Sequence, residues 1–281
     1  MVGRTRFLAS RTVLLIFFIV LGATVMFPFY FLLVSSFRHP QEMFASGFRI
    51  AINVKELTLS NYRMLFTGNG SIYFSWYKNS VLITAFFTLI SLFLSSAVGY
   101  GLGAYVFKGR NLIFTMVLFL LMIPLEILML PLYKLLVTVH LINTYAGVIL
   151  PFVVSPAGVF FFRQYTTGIP RDYVDAGRID GCTEYGIYAR IMAPLMRPAF
   201  GAMAILLSMR EWNDFLWPLI VLRTSDRLTI PVGLASLMTP YGNTYDMLLS
   251  GAVLAIIPIV IVFLFNQRAF VAGLTVGGIK G

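Results

Sequence analysis

Charge is scarce in this 281-residue chain: Asp, Glu, Lys and Arg make up 11% of it, against about 25% in an ordinary soluble domain. Hydrophobic residues reach 59%, including 26 Phe, 14 Tyr and 3 Trp, and the mean hydropathy is +0.86. So little polar surface cannot clothe a water-facing body of this size, which excludes a soluble globular protein and makes lipid the main solvent. Cysteine is nearly missing too. Cys182 stands alone, so no intramolecular disulfide forms and no Cys/His set at metal spacing exists. The signatures of catalysis are also absent: no GxxxxGK[ST] phosphate loop, no HExxH, no paired carboxylates and no Ser/His/Asp set. The chain therefore lacks its own nucleotide engine and reads as a pathway that a partner must drive.

What is present is a series of charge-poor runs. A bilayer core of about 30 Å takes about 20 apolar residues in a helix, because every buried amide must pair within its own segment. Six runs qualify, at about 12–37, 79–107, 111–133, 144–162, 198–222 and 247–267. They predict an all-α polytopic membrane protein with an N-terminal segment 1–11, a long loop 163–197 and a tail 268–281. The first run is too long for a signal-peptide core and no small-residue cleavage site follows it, so it reads as an uncleaved anchor. Six spans put both ends on one side of the membrane. That side carries twelve Lys and Arg outside the spans and the other carries eight, which predicts cytoplasmic termini and a cytoplasmic 163–197 loop. The net charge of +10 is accordingly a topology signal rather than a nucleic-acid footprint.

The long loop has a pattern of its own. Pro170 with Asp172 and Asp175 behind it opens a helix, with carboxylates at the positive dipole end, and Gly181 closes it. Thr183 caps a second helix with Glu184 in its first turn, running until Pro194. Taken alone, two short amphipathic helices meeting at a glycine also suit a hairpin lying on the inner leaflet. The residues Asp175-Ala176-Gly177, then Asp180-Gly181, then Ile191 and Pro194 resemble the EAA loop of permeases in binding-protein-dependent ABC importers. Asp175 replaces the family's Glu, Gly177 its second Ala, and Ala193 its Leu. The run Glu211-Trp212-Asn213-Asp214-Phe215-Leu216-Trp217-Pro218-Leu219 is similar to the fifth-helix signature of the carbohydrate-uptake branch. Asn61-Tyr62, Asn79-Ser80, Ile123-Pro124, Pro131-Leu132 and the tail Gly273-Leu274-Thr275 to Gly277, Lys280 and Gly281 fit the same branch.

This resemblance implies a type I ABC importer permease fold in a bacterial cell membrane and a sugar substrate. It also implies a homologous second permease subunit, two ATPase subunits and an extracellular solute-binding protein. Asp175, Ala176, Gly177, Asp180, Gly181, Ile191 and Pro194 would form a coupling helix docking on the ATPase. ATP and Mg would be bound by those ATPases and no cofactor by this chain.

Other residues leave alternatives open. Arg210 and Asp214 are four apart, which suits an intrahelical ion pair; equally, Glu211, Asn213 and Asp214 could line the pathway, with Trp212 or Trp217 stacking on a sugar. Pro28, Pro124, Pro218 and Pro258 read as kinks. Gly99, Gly101 and Gly103 with Ser95, Ser96 and Ala97 give the second span a small-residue packing face, and His140 reads as an exposed turn residue. The loop from Thr224 to Tyr245, with Pro240, Tyr241 and Gly242, is either a connector or a contact for the binding protein. An ABC permease for a non-sugar solute fits the EAA loop as well. A six-span secondary transporter would need ion-coupling acids inside the membrane, where the only ionisable residues are Glu126, Arg210, Glu211 and Asp214.

Overall fold

The computed structural model describes residues 2–39, 57–67, 71–239 and 242–276. Arg49, Lys55, Pro240, Tyr241, Gly277, Lys280 and Gly281 lie outside the described residues. The architecture is all-α. Among the described residues, strand is confined to a two-residue antiparallel ladder, Met238–Thr239 (β1) against Gly242–Asn243 (β2). Three stretches are long and apolar enough to cross a bilayer: 11–36 within α1 (Val2–Ser36), α3 (Ser71–Ala104), and 245–268 within the last helix, Tyr245–Val276. Three bent pairs pass the same test when each is taken together. They are α4 (Arg110–Met122) with α5 (Leu125–Thr138), the segment Tyr145–Phe152 with α7 (Pro156–Thr167), and Glu184–Leu195 with α11 (Arg197–Trp212).

Three of the expected single helices are broken. Within 144–162 the turns of Tyr145–Phe152 end before Ser155, which caps α7 ahead of Pro156, and the chain bends by 44°. The other two also break for local reasons. Within 111–133, Ile123 is pushed to extended geometry (φ −80°, ψ 117°) by the proline that follows it. The chain then turns by 102° into α5. Within 198–222, α11 stops at Trp212 and α12 (Leu216–Val221) begins three residues on. Asn213 is the cap between them and Asp214 lies past it, so Arg210 and Asp214 are not a helical i,i+4 pair. The helix that carries the second apolar run begins at Ser71, eight residues before Asn79.

The chain divides into two compact units, 1–74 with 234–255 and 75–233 with 256–281. In the first, α2 (Ser60–Phe66) closes the C-terminal end of α1. Asn61 donates its amide to the carbonyls of Ser36 and Arg38, both at 2.9 Å. The Ser36 and Tyr62 hydroxyls meet at 2.7 Å, and the Tyr62 ring sits 5.0 Å from that of Phe37. Terminal helix carbonyls have no partner within their own helix, and Asn61-Tyr62 supplies one. Nearby, the Tyr73 hydroxyl donates to the Gly251 carbonyl at 2.8 Å. The apolar window of α1 itself is 0% buried, so lipid or another subunit must cover it.

The second unit holds the main core, in which Phe87, Phe162, Met196, Ala199 and Trp217 are fully buried. Its backbone crossing is α3 on α7. Ser95, Gly99 and Gly103 repeat every four residues and so share one face of α3. A Cβ on Gly99 would stand 2.6 Å from Phe162 Cβ and 2.9 Å from both the Arg163 nitrogen and the Val159 carbonyl oxygen. One on Gly103 would stand 2.8 Å from Thr166 Cβ, and Gly158 across the crossing approaches Ser95 in the same way at 2.9 Å. Ser95 also accepts a bond from the Ser155 amide at 3.2 Å. Gly101 points elsewhere, into open space. On the same helix, Asn79 donates to the carbonyls of Asp226 (2.8 Å) and Leu228 (2.9 Å), Ser80 accepts from the Ile230 amide at 2.8 Å, and Trp76 donates to Ser225 at 2.7 Å. The Asn79-Ser80 pair thus fastens the 224–230 loop.

A residue substituted at Gly99 meets backbone that cannot swing away, so Gly99→Val should destabilise by about 1–3 kcal/mol or more. Gly101→Ala should be neutral or gain up to about 1 kcal/mol of helix propensity. Thermal unfolding in detergent checks this, and equal midpoints for the two variants would remove the crossing as the source of rigidity.

Candidate functional site

Two stretches carry the residues singled out above. The first is the 163–197 loop. Its helix α8 (Asp172–Ile179) starts behind Pro170 and keeps Asp172 and Asp175 in its first turn, where the helix dipole favours carboxylates. Val174 and Gly177 face inward. A Cβ on Gly177 would lie 2.8 Å from Ile191 Cδ1 and 3.0 Å from Ile187 Cγ1. Gly177 and Ile191 therefore pack on each other within the loop, while Asp175, Ala176, Asp180, Gly181 and Pro194 are exposed.

The end of α8 is a Schellman turn. Gly181 donates to the Arg178 carbonyl at 3.0 Å and Cys182 to that of Gly177 at 2.9 Å, with Gly181 at φ 77°. Thr183 then caps α9 (Glu184–Ile187), its hydroxyl accepting from the Gly186 amide at 3.1 Å. The helix does not stop at Pro194 as expected. It widens into a π turn over Tyr188–Met192, runs through α10 (Ala193–Leu195), and breaks at Met196, bending by 78° into α11. A proline inside a helix cannot donate to the carbonyl four residues back and crowds it, and the wider turn makes room for that ring.

Sequence reasoning missed two residues here. Ile179 is 87% exposed and Tyr185 is 88% exposed. They stand on either side of the Gly181 turn as apolar knobs on a polar loop, and a protruding apolar pair of this kind marks a contact surface. The signal available was their place beside the turn, in positions that the packing of Val174, Gly177 and Ile187 leaves outward. The charges lie alongside. Arg178 Nε donates to Glu184 Oε1 at 2.8 Å and Arg178 Nη1 to Asp175 Oδ1 at 3.3 Å. Glu184 also accepts from the Tyr105 hydroxyl. The bond from Arg178 first, and then that from Tyr105, hold the Glu184 carboxyl below the ordinary Glu value, and Glu184 in turn raises Arg178. A depressed carboxyl contributes stability above its unfolded pKa and loses it as pH falls through the folded one. The pair is thus fully charged at neutral pH.

The second stretch is the break between α11 and α12. Trp212 lines a cavity of about 380 Å³ with Thr84, Thr88, Ser208, Pro258 and Asn266 among its other walls, and its ring meets that of Tyr77 edge-on at 5.9 Å. Glu211 is buried beside it, and among the described residues its Oε1 has no hydrogen-bond partner. Asn213 is exposed and bonds back to the Met209 carbonyl at 2.7 Å. The Asp214 carboxylate faces the first backbone amides of α12. Trp217 is fully buried, donates to the Gly147 carbonyl at 3.1 Å, and stacks edge-on to Phe152 at 5.5 Å. Of the two candidate stacking faces, the structure brings Trp212 to a cavity and Trp217 into the core. Among the described residues, no group of three or more His, Cys, Asp or Glu is placed to hold a metal ion.

Comparison with known proteins bears on the family and the fold. The profile of the family described as binding-protein-dependent transport system inner membrane component matches residues 95–276. The arabinooligosaccharides transport system permease protein AraQ of Bacillus subtilis (strain 168) is 55% identical over 276 residues, covering 98% of each chain. The lactose transport system permease protein LacG of Rhizobium radiobacter is 37% identical over 72% of this chain and 74% of its own. A solved bacterial ABC transporter involved in the import of the acidic polysaccharide alginate contains a chain with the same fold. The TM-score is 0.80 at 19% identity, over 92% of this chain and 95% of the other.

The loop geometry separates two variants. Asp175→Ala removes an exposed ion pair and one first-turn carboxylate, so the chain should lose little stability. Gly181→Val forces a branched residue to positive φ and should cost roughly 1–2 kcal/mol. Thermal melts of the purified subunit read both, and an Asp175→Ala loss as large as that of Gly181→Val would contradict the Schellman geometry as the local determinant.

Proposed function

The chain belongs to the family of inner-membrane components of binding-protein-dependent transport systems, and on that premise we propose that it is a permease subunit of an ATP-driven importer of arabino-oligosaccharides. One observation carries the ATP-driven part of the reading: a folded loop, closed by the Gly181 turn, presents Ile179, Tyr185 and Asp175 outward on a scaffold packed through Gly177, Ile187 and Ile191. A rigid helix with apolar knobs and a carboxylate fits a groove of an ATPase subunit and converts its closure into rigid-body motion of the spans. The near-complete match to AraQ supports the sugar class.

On this reading the chain works with a homologous second permease, two ATPases that bind the ATP and Mg, and an extracellular solute-binding protein that makes the first selection. It is not an enzyme. The bare apolar window of α1 is a surface for lipid or for the second permease. Both termini and the 163–197 loop face the cytoplasm, a reading supported by the excess of Lys and Arg on that side. Trp212 and the cavity it lines, with Glu211 next to it, form this subunit's share of the sugar pathway. Asn213 and Asp214 occupy the break that exposes it, and Trp217 holds the break in place.

Growth and uptake of a deletion strain on a panel of sugars test the substrate. The expected outcome is a selective defect on arabino-oligosaccharides, and normal growth on every sugar with an amino-acid defect instead would sink the assignment. Orientation is read separately in a Cys182→Ser background. An impermeant thiol reagent added outside should label a cysteine at Ser71 and spare one at Thr183, and the reverse pattern inverts the topology. The purified subunit alone should hydrolyse no ATP.

A further inference from the structure

The coupling loop touches the rest of the second unit at more places than its own helix. Tyr105 is the residue that follows α3, and its hydroxyl bonds to Glu184 Oε2. Its carbonyl accepts from Arg110 Nη1, at the start of α4, at 3.0 Å. Its ring packs edge-on to Tyr100 at 5.4 Å and lies 5.9 Å from the Arg178 guanidinium carbon. Glu184 meanwhile takes both Arg178 Nε at 2.8 Å and Arg178 Nη2 at 3.4 Å, and the remaining arm of Arg178 reaches Asp175. Asp175, Arg178, Glu184 and Tyr105 thus form an unbroken line from the first turn of α8 to the end of α3. A second tie holds the π turn to the same helix, where the Tyr188 and Ser96 hydroxyls meet at 2.6 Å.

We propose that the Tyr105–Glu184 bond is a transmission clamp: it fixes the end of the second span to the coupling loop, so that displacement of the docked loop is carried into α3 as well as into α11. This rests on the docking reading of the loop. The geometry favours a clamp over a decorative surface pair for two reasons. Arg178 stands on the helix that carries the docking carboxylate and bonds both to Asp175 and to Glu184, and Glu184 in turn takes Tyr105, so each member of the line is bonded to the next. Tyr105 is also held twice at its side chain, by Tyr100 and by Glu184, and once at its backbone carbonyl, by Arg110, and a residue fixed that way transmits force rather than swivelling. When a basic group of an ATPase takes Asp175, the Asp175–Arg178 contact is the one it competes with, and Arg178 stays on Glu184 through its other two nitrogens. Docking then leaves the clamp whole. Tyr105 and Glu184 are positioning residues in this scheme, since neither meets the sugar.

The test uses the complete importer, with both permeases, both ATPases and the loaded binding protein, in proteoliposomes. Its readout is ATP hydrolysed per sugar imported. Tyr105→Phe keeps the ring and removes only the hydroxyl, and Glu184→Gln keeps the shape and removes the charge. Loss of one solvent-exposed hydrogen bond corresponds to roughly two- to tenfold in an equilibrium, so each variant should assemble normally and raise the ATP-to-sugar ratio about twofold or more. Thr167→Ala, an exposed change outside the line and outside the docking residues, should match the wild type. Asp175→Ala is the control for docking and should instead lose stimulation of hydrolysis by the binding protein. Wild-type ratios in Tyr105→Phe and Glu184→Gln, with Asp175→Ala impaired, overturn the clamp and leave the docking reading intact. Failure of both clamp variants to assemble makes the pair a folding contact and also overturns it. Wild-type behaviour of Asp175→Ala removes the docking reading and the clamp with it.

Discussion

The close crossing of α3 on α7 is the constraint from which the rest of the second unit follows. Lipid offers apolar helices no hydrophobic reason to associate, so they are held by tight packing and by hydrogen bonds between them. Ser95, Gly99 and Gly103 provide both, because glycine lets one backbone lie on another and Ser95 bonds across the gap to Ser155. Fixing that crossing fixes two chain ends on one side. One is the end of α3, which delivers Tyr105. The other is the end of α7, which leads through Pro170 into α8. The loop between α8 and α11 is therefore pinned to a rigid pair of helices, although most of its own surface is exposed.

Broken helices in the remaining spans follow from the same solvent. A backbone that leaves helical geometry inside a membrane must find other partners for its amides and carbonyls. At the break after Trp212 the partners are local: the Asn213 amide bonds to the Met209 carbonyl, and Asp214 faces the amides that open α12. At the far end of α12, the Val221 carbonyl accepts from the Asn143 amide at 2.9 Å, while Asn143 Oδ1 takes the Arg223 amide at 3.0 Å. Asn143 can do so because it sits at φ 58°, a conformation asparagine tolerates better than most residues. The polar cluster 211–214 is then explained by the break as much as by any solute, and it is the neighbouring Trp212 that reaches a cavity.

Legibility in the sequence tracked how local each signal was. The helix start behind Pro170 and the caps at Gly181 and Thr183 are readable because such signals depend on residues within four positions of themselves, and all three stand where the pattern puts them. The all-α membrane class was readable from composition, because lipid imposes one demand along the whole chain. Charge-free runs carry no signal of breaks, since a run reports polarity and not continuity, so the breaks at Ile123, at 153–155 and at Asn213 all lie inside runs that read as single helices. The Arg210–Asp214 pairing failed for that reason too. Asn61-Tyr62 and Asn79-Ser80 were visible as motifs, but their work is to satisfy carbonyls 23 to 25 and 147 to 149 residues away. No spacing rule reaches that far. Trp217 was ambiguous because an aromatic on an apolar helix looks the same whether it faces solute or core, and only the bond to Gly147 decides it.

The loop also shows why the carboxylate at 175 and the apolar tip belong together. An exposed ion pair alone is weak, because water and salt screen it, so Asp175 by itself would give register rather than affinity. Ile179 and Tyr185 supply apolar area, which does not depend on geometry to the same degree. Area without charge would slide. On the proposed docking role, a loop whose rear face is locked by Gly177 against Ile187 and Ile191 would let burial of Ile179 and Tyr185 provide the holding and the carboxylate the alignment. A glycine at 177 fits that arrangement, since the inward face is so close to Ile191 that even a methyl group would have to displace its terminal carbon. The helix propensity it gives up, up to about 1 kcal/mol relative to alanine, is offset by the shorter distance between α8 and the π turn. A short separation ties the outward face of α8 to the helix that follows the Gly181 turn.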